Sequence, residues 1–325
     1  MNNRRKLLVA LSASVLSRPF ASLAQQATPH RVGVLSTASA TDSPNIQAFF
    51  HGMNSLGWID GQNISVDYRY AEGNIDRLPA LARDLVERKV DVILTLSGTA
   101  TRAVKQATAA IPIVFITVID PVSMGFIKAL AQPGANITGI MGLGSELIAK
   151  RLQIMREILP NISRTAVATT GEPTDDIQYA MVLSAAQELG IHLLRIKVRS
   201  SSDLPQALAM LRRWHADSMY VLDASLNFYN RKLLADFAIK NKVPMAAGAF
   251  PYAEAGGLIG YGSNYEELSR SAATLVDKIL HGIKPGDIPV KQSATVELTI
   301  NMRTAKSLGI PIPQSILVRA DKVIE

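Results

Sequence analysis

The chain has 325 residues, more than one hydrophobic core usually organises, so two lobes of roughly 130 to 150 residues each are expected. Apolar residues make up 48% and charged residues 19%, which excludes a disordered chain; the lack of any cysteine excludes disulfides, thiolate metal sites, a cysteine nucleophile and a lipid-modified cysteine. The formal charge of +7 is concentrated at the start, where Arg4, Arg5, Lys6 and Arg18 have no acidic neighbours, leaving +3 for the rest, and no Lys/Arg run interleaved with aromatics offers a footprint for nucleic acid.

Residues 1–24 read as an export signal: a basic start, an apolar run from Leu7 to Leu16, and Ser22-Leu23-Ala24 before Gln25, which puts cleavage near Ala24. The run is about ten residues, where a membrane span needs roughly 20. An uncleaved anchor or flexible tail is the competing reading, and Arg4-Arg5 hints at twin-arginine export. Nothing after residue 24 is long and apolar enough to cross a bilayer, so no stable membrane insertion is expected.

From Arg31 onward short β-branched runs alternate with amphipathic stretches, the pattern of a doubly wound parallel α/β sheet buried on both faces. Strands are predicted at Arg31–Leu35, Ile64–Tyr70, Val90–Leu96, Ile113–Val118 and Ile137–Ile140, with helices near Ile46–Leu56, Arg77–Arg88, Thr99–Ala109 and Val122–Ala131. The pattern then restarts. Strands follow at Thr165–Thr169, His192–Val198, Ser218–Leu222 and Val243–Ala246, with helices near Asp176–Leu189, Leu204–Trp214 and Phe228–Lys240. Two sets of one grammar imply two similar lobes, and the absence of a long flexible linker implies brief crossings between them.

In open parallel sheets ligands bind beyond the carboxyl ends of the strands. The residues there are Ser36-Thr37, Ser97-Gly98-Thr99 and Asp120-Pro121 in the first half, and Thr169-Thr170-Gly171-Glu172 and Asp223-Ala224-Ser225 in the second. Ser97-Gly98-Thr99 ends a strand and opens a helix, so it offers free backbone N–H groups, two hydroxyls and a positive dipole end to an anion; capping alone is the other reading. Asp120 would pair with a ligand amine or hydroxyl or simply cap a helix opened by Pro121, and Asp223, at the equivalent place in the second half, has the same two readings. Tyr252, in the glycine-containing stretch 250–257, would cover a planar ligand or pack internally. Enzyme signatures are weak. The five histidines are scattered, and the glycines at Gly139, Gly142 and Gly144 and from Gly256 to Gly262 form neither a dinucleotide fingerprint nor a P-loop.

Several short blocks stand in fixed order: Arg31-Val32-Gly33-Val34-Leu35, Leu56-Gly57-Trp58-Ile59-Asp60-Gly61-Gln62-Asn63, Tyr68-Arg69-Tyr70-Ala71-Glu72-Gly73 and Arg77-Leu78-Pro79-Ala80-Leu81-Ala82. Ile111-Pro112-Ile113-Val114-Phe115, Asp120-Pro121-Val122, Pro133-Gly134-Ala135-Asn136-Ile137-Thr138-Gly139, Glu254-Ala255-Gly256-Gly257-Leu258 and Ile300-Asn301 follow. Together they resemble, over essentially the whole mature chain, the ABC-transporter substrate-binding family that includes tryptophan-type and other aromatic amino-acid binders.

The resemblance implies a type I periplasmic binding fold, with lobe 1 at residues 30–138 and 256–290 and lobe 2 at residues 139–255 and 291–325. The chain would cross near Thr138–Leu143, Glu254–Leu258 and Pro289–Ala294, the helix Glu266–His281 would pack on lobe 1, and helices Ala149–Leu159 and Met302–Leu308 would join lobe 2. Ser36, Ser97, Gly98, Thr99 and Asp120 would line the first wall of the cleft, and Thr170, Asp223 and Tyr252 the second. Ser97-Gly98-Thr99 would take an α-carboxylate and Asp120 or Asp223 an amine. The expectation is an exported, monomeric, periplasmic solute-binding protein without cofactor, metal or catalytic residue, which hands an amino acid or other small carboxylate or aromatic compound to an ABC transporter permease. A periplasmic ligand-sensing module for a signalling receptor, or an exported enzyme, are the alternatives.

Overall fold

The structure, a computed structural model, describes residues 28–40, 44–142, 145–172, 174–293 and 295–325. The export signal expected at residues 1–24 lies outside the described residues. The first stretch of chain runs β1 (His30–Ser36), α1 (Pro44–Ser55), β2 (Ile64–Tyr70), α2 (Leu78–Glu87), β3 (Val92–Thr95), α3 (Gly98–Ala107), β4 (Ile113–Val118) and β5 (Ile137–Met141). The second runs α4 (Ser145–Ile158), β6 (Arg164–Thr169), α5 (Asp175–Glu188), β7 (His192–Lys197), α6 (Leu204–Trp214), β8 (Ser218–Val221), α7 (Ser225–Tyr229), α8 (Arg231–Lys240), β9 (Met245–Ala247), α9 (Phe250–Glu254) and β10 (Ile259–Ser263). The tail adds α10 (Tyr265–Leu280), β11 (Lys291–Gln292), β12 (Val296–Asn301), α11 (Met302–Leu308), α12 (Gln314–Leu317) and β13 (Lys322–Ile324).

Side-chain chemistry sets the ends of these helices. Ser97 accepts the Ala100 N–H at 3.2 Å to open α3, Asn264 caps α10 through Glu267 N–H, and Asn301 caps α11, which Gly309 closes in the left-handed conformation at φ +68°.

Two sheets result, with strand orders β2-β1-β3-β4-β5-β11 and β7-β6-β8-β9-β10-β12-β13. The first is wholly parallel, and in the second only the β10–β12 pair runs antiparallel. Both contain the doubly wound order 2-1-3-4-5, whose direction reverses between β1 and β3 in one lobe and between β6 and β8 in the other. Apolar clusters cover both faces of each sheet, which is why the strands read as continuous buried runs. α10 packs against α1: Leu268, Ala272 and Val276 share a core with Ile46, Phe49 and Met53. The two helices approach so closely at Gly52 that a Cβ there would stand 2.8 Å from Ala273 Cβ.

Sheet membership moves the lobe boundaries. β5 extends to Met141 beside β4, so the first lobe reaches past 138, and β11 pairs with β5, so Lys291 and Gln292 also belong to the first sheet, past 290. The stretch 256–263 was expected in lobe 1, yet β10 pairs with β9 and β12, and the chain returns only at Asn264. Its glycines serve close packing within the second sheet: a Cβ on Gly260 would lie 2.5 Å from Ala249 O. The helix predicted at Val122–Ala131 is a series of turns instead, because Gly125 adopts φ +68° while Phe126 and Ile127 turn inward to the core. The predicted helix Phe228–Lys240 divides into α7 and α8 at Asn230.

Candidate ligand-binding site

The topology aims both reversal points at one cavity between the lobes, with an empty volume of about 1060 Å³ including its open mouth. From the first lobe Ser36 ends β1 and Thr37 follows it, and Ser97, Gly98 and Thr99 follow β3. Thr117 joins them through a β-bulge, where the β4–β5 register shifts between Ile116 and Val118. Its φ of +62° is costly for a β-branched residue, about 1–3 kcal/mol, and its hydroxyl donates to Leu96 O at 3.0 Å.

The second lobe contributes the charges. Arg151 projects from α4 and is 1% exposed; Nε donates to Tyr261 O at 3.1 Å, Nη1 to the Tyr220 hydroxyl at 2.6 Å and Nη2 to Asp223 Oδ2 at 3.1 Å. Burial works against its charge, but the Asp223 carboxylate and Tyr220 outweigh that and raise its pKa above the ordinary arginine value. Asp223 follows β8, and Gln178 from α5 clamps its backbone, accepting its N–H at 2.9 Å and donating to its carbonyl at 3.0 Å. Oδ1 of Asp223 is buried without a hydrogen-bond partner and lies against Gly248, where a Cβ would come within 1.7 Å of it. Asp223 Oδ1 thus has unused hydrogen-bond capacity beside the cavity.

Glu172, after β6, accepts from Leu226 N–H at 3.1 Å and the Ser225 hydroxyl at 3.2 Å, and across the cleft from the Thr99 hydroxyl. The turn that presents it is held by Asp175, which accepts the Thr170 and Gly171 N–H groups at 2.7 and 2.6 Å. Burial raises the Asp175 pKa, opposed by those same backbone donors. Phe228 from α7 and Tyr265 at the start of α10 add aromatic wall, their rings 5.8 Å apart.

Of the residues singled out from sequence, Ser36, Ser97, Gly98, Thr99 and Asp223 line this cavity, whereas Asp120, Thr170 and Tyr252 do not. Asp120 accepts the Ser123 N–H at 2.9 Å and so closes a turn, with no helix after Pro121 for it to cap. Thr170 is fully buried beneath the Glu172 turn. Tyr252, 1% exposed, packs edge-on to Phe228 with centroids 6.0 Å apart, and burial pushes its hydroxyl pKa up. Sequence reasoning placed Glu172 only within the loop after the β6 strand, choosing Thr170 there, and missed Arg151, Gln178, Phe228 and Tyr265 as lining residues. Arg151 left a signal: it falls at i+3 from Ile148 and i−4 from Met155, on the buried stripe of α4 where a cation needs a buried partner. Among the described residues no group of three or more His, Asp or Glu could hold a metal ion.

Two doubly wound lobes joined by three short crossings, with a polar cavity where their reversal points meet, define a two-lobed solute-binding protein. The model of the family described as ABC transporter substrate binding protein matches residues 36–324, and the chain belongs to that family. A tyrosine-binding protein of Clostridioides difficile is 29% identical over 265 residues, 81% of this chain and 76% of the relative. A conserved domain protein from Vibrio cholerae has a solved structure matching with a TM-score of 0.84 at 28% identity, over 90% of this chain and 99% of that one. The ABC domain in complex with L-Trp from Streptococcus pneumonia matches with a TM-score of 0.84 over 91% of this chain and all of that one; at 22% identity it shows the shared fold. The fold is therefore that of the type I periplasmic binding proteins, and the chain is a binding protein and not an enzyme. Family membership implies a small-molecule ligand and a transporter partner. Among the described residues no helix is long and apolar enough to cross a membrane.

Proposed function

We propose that this chain is an exported, monomeric binding protein that grips an α-amino acid with an aromatic side chain in its interlobe cavity and delivers it to an ABC transporter permease. The observation that carries the reading is the unpartnered Asp223 Oδ1, which shares its cavity with the N-terminus of α3. The ammonium would donate to Asp223, and the carboxylate would accept from the first N–H groups and hydroxyls at Ser97-Gly98-Thr99, where the helix dipole favours negative charge. Among the described residues the charged groups of the wall are Arg151, Glu172 and Asp223, two carboxylates to one guanidinium, a balance that suits a ligand bringing a cation. Phe228 and Tyr265 supply apolar wall for a ring. The tyrosine-binding relative and the L-Trp complex of the shared fold point the same way. Because one end of the zwitterion would be held by each lobe, binding favours the closed arrangement by its differential affinity for it.

Calorimetric titration with L-tyrosine, L-tryptophan and N-acetyl-L-tyrosine tests this. Loss of one charge-assisted hydrogen bond predicts that acetylating the amine weakens binding about 10- to 150-fold. Equal affinity for L-tyrosine and its N-acetyl form would remove Asp223 from the reading.

A further inference from the structure

A second place where the lobes touch lies outside the cavity. In the first lobe, Glu72 and Gly73 form a turn in the left-handed region, at φ +54° and +72°. The Tyr229 ring of the second lobe lies directly on Gly73: a Cβ there would fall 2.4 Å from Tyr229 Cε1 and 2.7 Å from Cδ1. Only glycine leaves the ring that seat.

Each side of this contact is tied to the cavity wall. Gly73 N–H donates to Thr37 O at 2.8 Å and Glu72 N–H to Ala38 O at 3.4 Å, which fastens the turn to the loop after β1. Tyr229 ends α7, the short helix whose first residues, Ser225 and Leu226, hold Glu172 for its bond with Thr99, and whose Phe228 lines the cavity. One five-residue helix thus joins the cross-cleft bond, the aromatic wall and the rim contact.

We propose that Tyr229, seated on Gly73, is an affinity-setting closure residue that never touches the ligand. It stabilises the closed arrangement, so it raises affinity for each ligand by one common factor, the factor by which the closed population rises. The proposal rests on reading the cavity as a solute site, but its first measurement needs no ligand. The chain has no cysteine, so spin labels at Asp76→Cys and Lys232→Cys, exposed positions beside the two rims, report a single interlobe distance. Pulsed electron resonance on the otherwise unchanged chain, on Tyr229→Ala and on Tyr229→Phe gives the distribution in each.

The expected result is a shift towards longer distances in Tyr229→Ala and none in Tyr229→Phe, since the ring and not the hydroxyl makes the contact. Affinity for L-tyrosine and L-tryptophan should fall by the same factor in Tyr229→Ala, about 2- to 12-fold, as loss of a few tens of Å² of apolar burial at about 25 cal/mol per Å² predicts. An unchanged distribution in Tyr229→Ala, equal opening in Tyr229→Phe, or unequal losses for the two amino acids would overturn the proposal. Should neither amino acid bind, the amino-acid reading fails while the distance shift still decides the role of Tyr229.

Discussion

Replacing Arg151 with Met keeps a long apolar stem on the buried face of α4 but strands Asp223 beside Gly248 without its cation. It also takes donors from the Tyr220 hydroxyl and the Tyr261 carbonyl. Removing one partner of a buried ion pair costs about 3–5 kcal/mol. The Asp223 side chain keeps 19% exposure, so water relieves part of the penalty and a value of about 3 kcal/mol is expected. For a lobe of this size each kcal/mol lowers the melting midpoint by roughly 2–4 °C, so Arg151→Met should melt about 6–12 °C lower by circular dichroism. Adding Asp223→Asn removes the stranded charge and should restore about half of that loss, because residues in direct contact do not behave additively. A single variant within about 2 °C of the unmodified chain, or a double variant no more stable than the single, would show that the pair is not the cavity's structural keystone.

Gly248→Ala places a Cβ where Asp223 Oδ1 now sits and should weaken L-tyrosine binding by more than about tenfold; unchanged affinity in calorimetry would separate Asp223 from the ligand. Asp120→Ala should lower stability by about 1 kcal/mol through its lost bond to Ser123 and leave L-tyrosine affinity unaltered, and Tyr252→Phe should likewise bind normally; weakened binding in either would return that residue to the site. Burial, with Asp60 and Tyr70 adding, pushes the Tyr68 pKa up to about 12, and burial also raises Tyr220, Tyr252 and Tyr265 above 10. The folded chain keeps these protons where the unfolded chain gives them up, so their stabilising contribution is complete below pH 10 and declines as pH rises through 12. Ultraviolet titration should therefore show delayed phenolate formation, and Tyr68→Phe should shallow the alkaline loss of stability; ionisation of every tyrosine near 10 would contradict the burial of these rings.

The strands and the loops beyond them were legible because burial on both faces of a parallel sheet writes continuous apolar runs, and polar residues such as Ser36, Ser97 and Asp223 mark where each run ends. What sequence could not show was which distant residues meet. Arg151 and Asp223 are 72 positions apart, and their pairing depends on how α4 crosses the second sheet. α7 and α9 have five residues each, too short for a periodicity to reveal which side turns inward, so Tyr252 was chosen for the cavity and Phe228 was overlooked. The return crossing was misplaced because glycine is used for crossings, for turns and for close backbone approach: Gly257 and Gly260 serve close approach and Gly256, at φ +121°, a turn.

Whether the two lobes hold a zwitterion end to end is decided by diffraction from crystals grown with L-tyrosine. The ligand should lie between α3 and the β8 loop, with its nitrogen about 3 Å from Asp223 Oδ1 and its carboxylate against the Gly98 and Thr99 N–H groups. Tyrosine density with the amine directed away from Asp223, or seated on an outer face of either lobe, would contradict that arrangement.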